Sequence, residues 1–209
     1  MKLVIFGATG SVGQELVKQG LTLGHEVSAF SRNLQKLRTG HPGLRRFQGN
    51  ALDLAEVTEA VHGQDAVIIA LGAGISDKSR LRTRGTQTIV KAMEAAGVRR
   101  VICLSAHGVA DSYAGLPWHY KVVIVPLLLR HVFADHGGQE EALRESNLDW
   151  VIIRAANFSD KPLNKPARFG KFESTAGLRL QVSRDELAKT ILAQLSDDTY
   201  LRQAPSFSS

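Results

Sequence analysis

Gly7-Ala-Thr-Gly-Ser-Val-Gly13 is the stretch on which the reading of this chain turns. It follows the apolar run Lys2-Leu-Val-Ile-Phe6 and leads directly into Gln14-Glu-Leu-Val-Lys18. A strand buried on both faces reads as a short continuous apolar run, and the first segment fits that pattern. The segment from Gln14 to Leu23 has the helical spacing instead, with Leu16, Val17 and Leu21 on one side. Glycines between such a strand and helix either make a tight turn or let a ligand reach the backbone. What surrounds them decides which.

Outward from this unit the same alternation repeats. Apolar, β-branched runs lie at 2 to 6, 26 to 30, 45 to 48, 66 to 71, 100 to 104 and 150 to 153. Helical patterns separate them. Asp53-Leu-Ala-Glu56 has the form of a capping box, Gly85 to Ala96 ends at Gly97, a further helix is predicted from about 127 to 145, and Ser183-Arg-Asp-Glu186 opens a last one to about Leu195. Strand and helix in strict alternation require right-handed crossovers between parallel strands. The prediction is α/β: one Rossmann-like doubly wound domain over 1–209, with a mainly parallel sheet flanked by helices. The polar tail from Gln203 is predicted to fray.

Composition narrows the function classes. The chain has 209 residues, 44% apolar and 22% charged, as expected for one globular domain. Its single cysteine, Cys103, lies in the apolar run Val101 to Leu104, which excludes an intramolecular disulfide and suits a reducing, cytoplasmic setting. The N-terminus lacks a signal peptide's longer apolar region, and no stretch approaches the roughly 20 apolar residues of a membrane helix. The longest candidate, Val122 to Leu129, is broken by Pro126. A net charge of +6 invites an anionic partner. The basic residues are scattered and aromatics make up only 6%, so a small anionic ligand is expected rather than nucleic acid, with no membrane partner and a monomeric state.

Placed in a first βαβ unit, the glycine stretch has the context of a dinucleotide fingerprint. Gly7 permits the turn, Gly10 lets backbone approach a pyrophosphate, and Gly13 lets helix pack on strand, with Thr9, Ser11 and Val12 completing the cradle at the helix N-terminus. The spacing is Gly-x-x-Gly-x-x-Gly. Where an NAD-selective protein carries an acidic residue after the second strand, this chain has Ser31 and Arg32, with Lys36 one turn on. A guanidinium holds a 2′-phosphate that a carboxylate would repel, so NADP(H) is the expected cofactor. Asn50-Ala51 and Leu71-Gly72 follow the third and fourth strands and complete its expected site, although Asn50 also suits a helix cap.

The fifth strand ends in Leu104-Ser105-Ala106-His107, beside the expected nicotinamide, which makes Ser105 the candidate polar contact to substrate. The Tyr-x-x-x-Lys pair that supplies acid–base catalysis in alcohol oxidation is missing: Pro117 stands four after Tyr113 and Ile124 four after Tyr120. The histidines show no metal-ligand spacing, and no metal is expected.

These motifs resemble the atypical short-chain dehydrogenase family of NAD(P)H-binding reductases, in particular its biliverdin IXβ and flavin reductase branch. The likeness runs through GATGSVG, Arg32, GQDAVIIALG at 63 to 72, VICLSA at 101 to 106, EALRESNLDWV at 141 to 151 and SDKPL at 159 to 163. It implies NADPH-dependent hydride transfer to a flavin or a linear tetrapyrrole, with Ser105 near the acceptor and the proton taken from solvent. His136 matches a family active-site histidine, whereas Asn157 stands where vertebrate members carry another. The acceptor site is expected in the long connections 107–120 and 157–178, with Ser105, Ala106, His107, Trp118, Asn157 and Phe158 as contacts. Their aromatic residues serve equally well as ligand walls or as loop anchors. A reductase or epimerase for another small carbonyl or sugar, and a non-enzymatic NADP(H) sensor, are the alternatives.

Overall fold

The computed structural model describes residues 1–159, 167–172 and 180–209. Six apolar runs become β1 (Lys2–Phe6), β2 (Glu26–Ser31), β3 (Leu44–Gln48), β4 (Ala66–Ile69), β5 (Arg100–Ala106) and β6 (Asp149–Ala155). They pair in parallel in the order β3-β2-β1-β4-β5-β6. Helices cover both faces, which is why the strands carry continuous apolar runs rather than alternating ones. Leu3, Ile5, Ile68 and Ile102 pack toward α1 (Ser11–Thr22) and α5 (Arg184–Ala193), among Leu16, Val17 and Ile191. Val4, Phe6, Ile69 and Cys103 pack toward α2 (Leu54–Val61), α3 (Leu81–Ala96) and α4 (Arg130–Arg144), among Val57, Ile89, Met93 and Leu143. The fold is thus the doubly wound Rossmann type. Its strand order reverses between β1 and β4, and the crevice at that switch point is where such sheets bind ligands.

Several boundaries differ from the sequence reading for identifiable reasons. α3 begins at Leu81, four residues before the predicted Gly85, because Asp135 of α4 accepts from the Arg82 and Thr83 N–H groups and caps it from a distance. Asp53 caps α2 through the Ala55 and Glu56 N–H groups, but Glu56 accepts from Asn50 N at 2.6 Å instead of closing a box on Asp53. Asn50 is therefore no cap; its side chain accepts from Leu52 N. The helix predicted from 127 is preceded by a π-helical stretch, Tyr120–Leu129, which contains Pro126. Proline has no N–H to donate, so the α ladder cannot run through it.

The tail does not fray. Ser206–Ser208 form β10, parallel to β6 and antiparallel to β8 (Arg168–Gly170), and Ser208 is fully buried. Arg154 N and Ala156 N donate to Pro205 O and Phe207 O, so the tail satisfies an edge of β6 that would otherwise be unpaired. β7 (Asn157–Ser159) pairs with β9 (Gln181–Ser183) beside it. Among the described residues no helix is long and apolar enough to cross a membrane.

Candidate active site

The glycine stretch becomes a backbone cradle. Gly7 has φ +84° and lies so close to Ala70 that a side chain there would collide with the Ala70 carbonyl. A side chain at Gly13 would collide with the Gly7 carbonyl and the Ala8 backbone. Gly13 thus lets α1 sit directly on the β1 loop, and Gly7 lets that loop lie against the end of β4. Among the described residues no side chain caps α1, and its first turn has no acidic residue. By contrast Asp53 caps α2, Asp135 caps α3 and Ser183 caps α5. The open N–H groups and positive dipole end of α1 are left for an external anion.

Two cavities meet on this cradle, sharing Gly10, Leu71 and Gly72. The smaller, about 210 Å³, lies across the ends of β1, β2 and β3. Gly7, Thr9 and Gly10 form its floor and Ser31, Arg32 and Lys36 one side, with Asn50 and Ala51 opposite. The Thr9 and Ser31 hydroxyls are 2.7 Å apart. Arg32 is exposed and makes no hydrogen bond or ion pair to a described residue, so its charge is available to a ligand. The donor set fits a dinucleotide: an uncapped helix for the pyrophosphate and a paired hydroxyl and guanidinium at the sheet edge.

The larger cavity, about 310 Å³, lies across the ends of β4, β5 and β6. Ser11, Val12 and Gly13 reach it from α1, Ser105 and Ala106 from the end of β5 with His107 just beyond it, and Asn157 and Phe158 from the start of β7. Its outer wall is apolar, with Leu116, Leu129, Val132 and Phe133. Tyr120 also lines it and accepts a 3.4 Å hydrogen bond from Asn157 Nδ2.

Trp118 departs from the expectation: it is 73% exposed, does not line the cavity, and its ring meets the His119 ring edge-on. Most of the other loop aromatics prove to be anchors. Tyr113 donates to Lys121 O, Phe169 packs on Tyr200 and Phe207, and Phe172 packs against His107. The SDKPL segment beyond Ser159, and the parts of 157–178 at 160–166 and 173–178, lie outside the described residues.

Ser105 and His136 both line the larger cavity and are both buried. Ser105 donates to Glu140 Oε1 at 2.8 Å, and Glu140 pairs with Arg154 of β6. Sequence reasoning missed this pair, although an arginine inside the apolar run Val151 to Ala155 was its signal, since a buried guanidinium needs a carboxylate. It also missed Arg82, which lines the cavity and pairs with Asp135 at 3.3 Å. Cys103 is a buried strand residue whose thiol is pushed well up by burial, with the Glu140 charge adding to the shift.

Burial, with the nearby charge of Arg82, pushes His136 down to about 4, so the ring is neutral at pH 7. Burial lowers His107 as well. The unfolded chain protonates His136 near pH 6.5 and the folded chain only near pH 4, so stability falls as pH drops through this window and levels off below it. The His136 share is about 2 kcal/mol at pH 5. Asp135 contributes only at lower pH, since burial raises its pKa but the Thr83 and Arg82 hydrogen bonds outweigh that and hold it below the usual carboxylate range. Urea melts at pH 7 and pH 5 should show this loss, with most of the His136 share absent in His136→Gln. An equal loss in that variant would rule His136 out as the source.

Fold, glycine cradle and paired cavities define a dinucleotide-binding protein of the Rossmann class. The chain matches the NAD(P)H-binding family model over residues 7–198 and belongs to that family. It is 28% identical over 207 residues, 94% of this chain and 89% of the other, to a Bacillus subtilis protein described as the uncharacterized sugar epimerase YhfK. Among solved structures, a short-chain dehydrogenase/reductase of Veillonella parvula in complex with NADP superposes with TM-score 0.84 at 23% identity, covering 100% of this chain and 94% of that one. ChuY, described as an anaerobillin reductase from Escherichia coli O157:H7, superposes with TM-score 0.81 at 22% identity over 99% and 96% of the two chains. At such identities the two structures support the fold. The protein is therefore an NAD(P)H-binding protein with the Rossmann fold.

Proposed function

We propose that the protein is an NADPH-dependent reductase whose acceptor is a planar flavin or linear tetrapyrrole. The carrying observation is the larger cavity: it joins the cofactor cradle at Gly10, Leu71 and Gly72, and apolar and ring side chains wall it on the outer side. NADPH supplies a hydride, two electrons with one proton, and solvent supplies the second proton. The chain's own residues do the rest. Leu116, Leu129, Val132 and Phe133 wall the acceptor on one side, Tyr120 and Phe158 offer ring faces to a flat ligand, and Ser105 and neutral His136 supply its polar contacts. The absence of Tyr-x-x-x-Lys fits an electron-deficient acceptor that needs alignment more than acid catalysis. The description of the structural neighbour ChuY as an anaerobillin reductase supports the same acceptor class. One chain lines both cavities, so a monomer suffices for the proposed reaction.

The test is NADPH oxidation by the purified protein with FMN, with biliverdin and without acceptor, repeated with NADH and with Arg32→Ala. Acceptor-dependent oxidation favouring NADPH is expected. Loss of a charge-assisted contact to the 2′-phosphate should cut the NADPH-over-NADH preference of Arg32→Ala by about 10- to 100-fold. Tight NADPH binding with no oxidation by either acceptor would overturn the reductase reading, and an unchanged preference in Arg32→Ala would remove Arg32 from the cofactor site.

A further inference from the structure

Ser105 has one hydroxyl proton, and the structure commits it. The residue is 2% exposed and donates to Glu140 Oε1 at 2.8 Å. Glu140 is itself 1% exposed and held in place by further donors: Arg154 Nε on Oε1 at 3.0 Å, Arg154 Nη2 on Oε2 at 2.7 Å and Arg144 Nη2 on Oε2 at 3.3 Å. A carboxylate in a salt bridge only accepts hydrogen bonds, so the proton between Ser105 and Glu140 belongs to the serine. Turning it toward the cavity would break a charge-assisted bond in a dry environment, where an unmet acceptor is costly. What Ser105 offers a ligand is lone pairs.

His136 lines the same cavity, with its Nδ1 3.2 Å from the Gln139 side-chain amide. A ketone oxygen brought to Ser105 meets an acceptor, like against like. An N–H group meets a partner.

We propose that Glu140 sets the hydrogen-bond polarity of the acceptor site, holding Ser105 as an acceptor that selects a planar ligand by a lactam, imide or pyrrole N–H rather than by a carbonyl oxygen. This deepens the reductase reading and rests on it for the kind of molecule that enters the cavity. Ser105 touches the ligand, and Glu140 is a positioning residue that acts through it.

The probes are 2-pyridone, a planar lactam, and N-methyl-2-pyridone, which keeps the carbonyl and loses the N–H. Both are titrated by ligand-observed NMR against the full chain loaded with NADP+, as wild type and as Ser105→Ala. The wild type is expected to prefer the N–H form by about 3- to 10-fold, the range of one neutral hydrogen bond, and Ser105→Ala to lose that preference. Equal binding of both probes by the wild type would overturn the proposal. So would a preference that persists in Ser105→Ala, because shape alone would then exclude the methyl group. Glu140→Gln, whose amide N–H can face Ser105 Oγ and release its proton, is expected to move the preference toward the methylated probe. A folded Glu140→Gln that keeps the wild-type preference would remove Glu140 from the role, and if that variant does not fold the Ser105 comparison decides alone. None of these measurements needs turnover. Lactam selection without reduction of FMN or biliverdin would overturn the reductase reading and leave this one standing.

Discussion

Glu140→Ala is expected to lower the unfolding free energy by about 3–5 kcal/mol, the cost of stranding a charge in a protein interior. The stranded charge is Arg154, 1% exposed and among the largest fully buried side chains of the protein. Its guanidinium has two carboxylate partners, Glu140 inside and Asp111 at the surface, where the Asp111 side chain is 81% exposed. Without Glu140 only the solvent-facing pair remains, and such pairs contribute about 0–1 kcal/mol. The Ser105 proton loses its acceptor at the same time. Removing both charges together should behave differently: Glu140→Leu with Arg154→Met is expected to recover most of the loss, because desolvation of an ion pair offsets much of its attraction. Urea denaturation of the three proteins checks this. A Glu140→Ala loss below about 1 kcal/mol, or a double variant no more stable than the single, would mean that the pair does not carry the stability assigned to it.

The same pair shows where sequence reasoning stops. Glu140, Glu141 and Glu145 are equally polar in sequence, and nothing local says that the first of them turns inward to meet an arginine from a strand. The strands were legible because both faces of the sheet are buried, which leaves an unbroken apolar run for each of them. The smaller cavity was legible for a topological reason: its residues sit at strand ends and in the first turn of a helix, positions fixed once the strands are placed. All of Gly7, Thr9, Gly10, Ser31, Arg32, Lys36, Asn50, Ala51, Leu71 and Gly72 line the smaller cavity. The larger cavity was less so. Which side chains between Tyr120 and Leu129 face inward depends on the phase of a π-helical turn, and Trp118, just before it, stays 73% exposed instead of lining the cavity. The start of α3 and the tail strand β10 both rest on partners distant in sequence, Asp135 for the one and β6 for the other.

Gly13→Ala and Gly10→Ala are expected to separate the two duties of the glycine cradle. At Gly13 a methyl group would overlap the Gly7 carbonyl and lie 2.9 Å from Ala8 backbone atoms, so α1 has to move off the β1 loop. Backbone atoms cannot yield as a flexible side chain can, and overpacking of this kind costs about 1–3 kcal/mol. The displaced helix also takes its open N–H groups away from the pyrophosphate position. Losing both the close approach and the dipole contact should weaken NADPH binding by about 100-fold or more, since each 1.4 kcal/mol of lost contact is tenfold. Gly10 is different. It has an ordinary negative φ of −69°, and the nearest atom to an added methyl is the Gly7 carbonyl oxygen at 3.3 Å, a tight but tolerable contact. The fold should therefore keep its stability to within about 1 kcal/mol, while the methyl occupies space where the two cavities meet. NADPH affinity of Gly10→Ala should fall by about 10-fold or more with the melting temperature nearly unchanged. Fluorescence titration of NADPH alongside thermal unfolding reads both quantities. If Gly10→Ala bound NADPH as the wild type does, the ligand backbone would not pass over residue 10. If Gly13→Ala kept both stability and affinity, the contact of α1 with the loop would be looser than the structure makes it, and the glycine spacing would be only a turn.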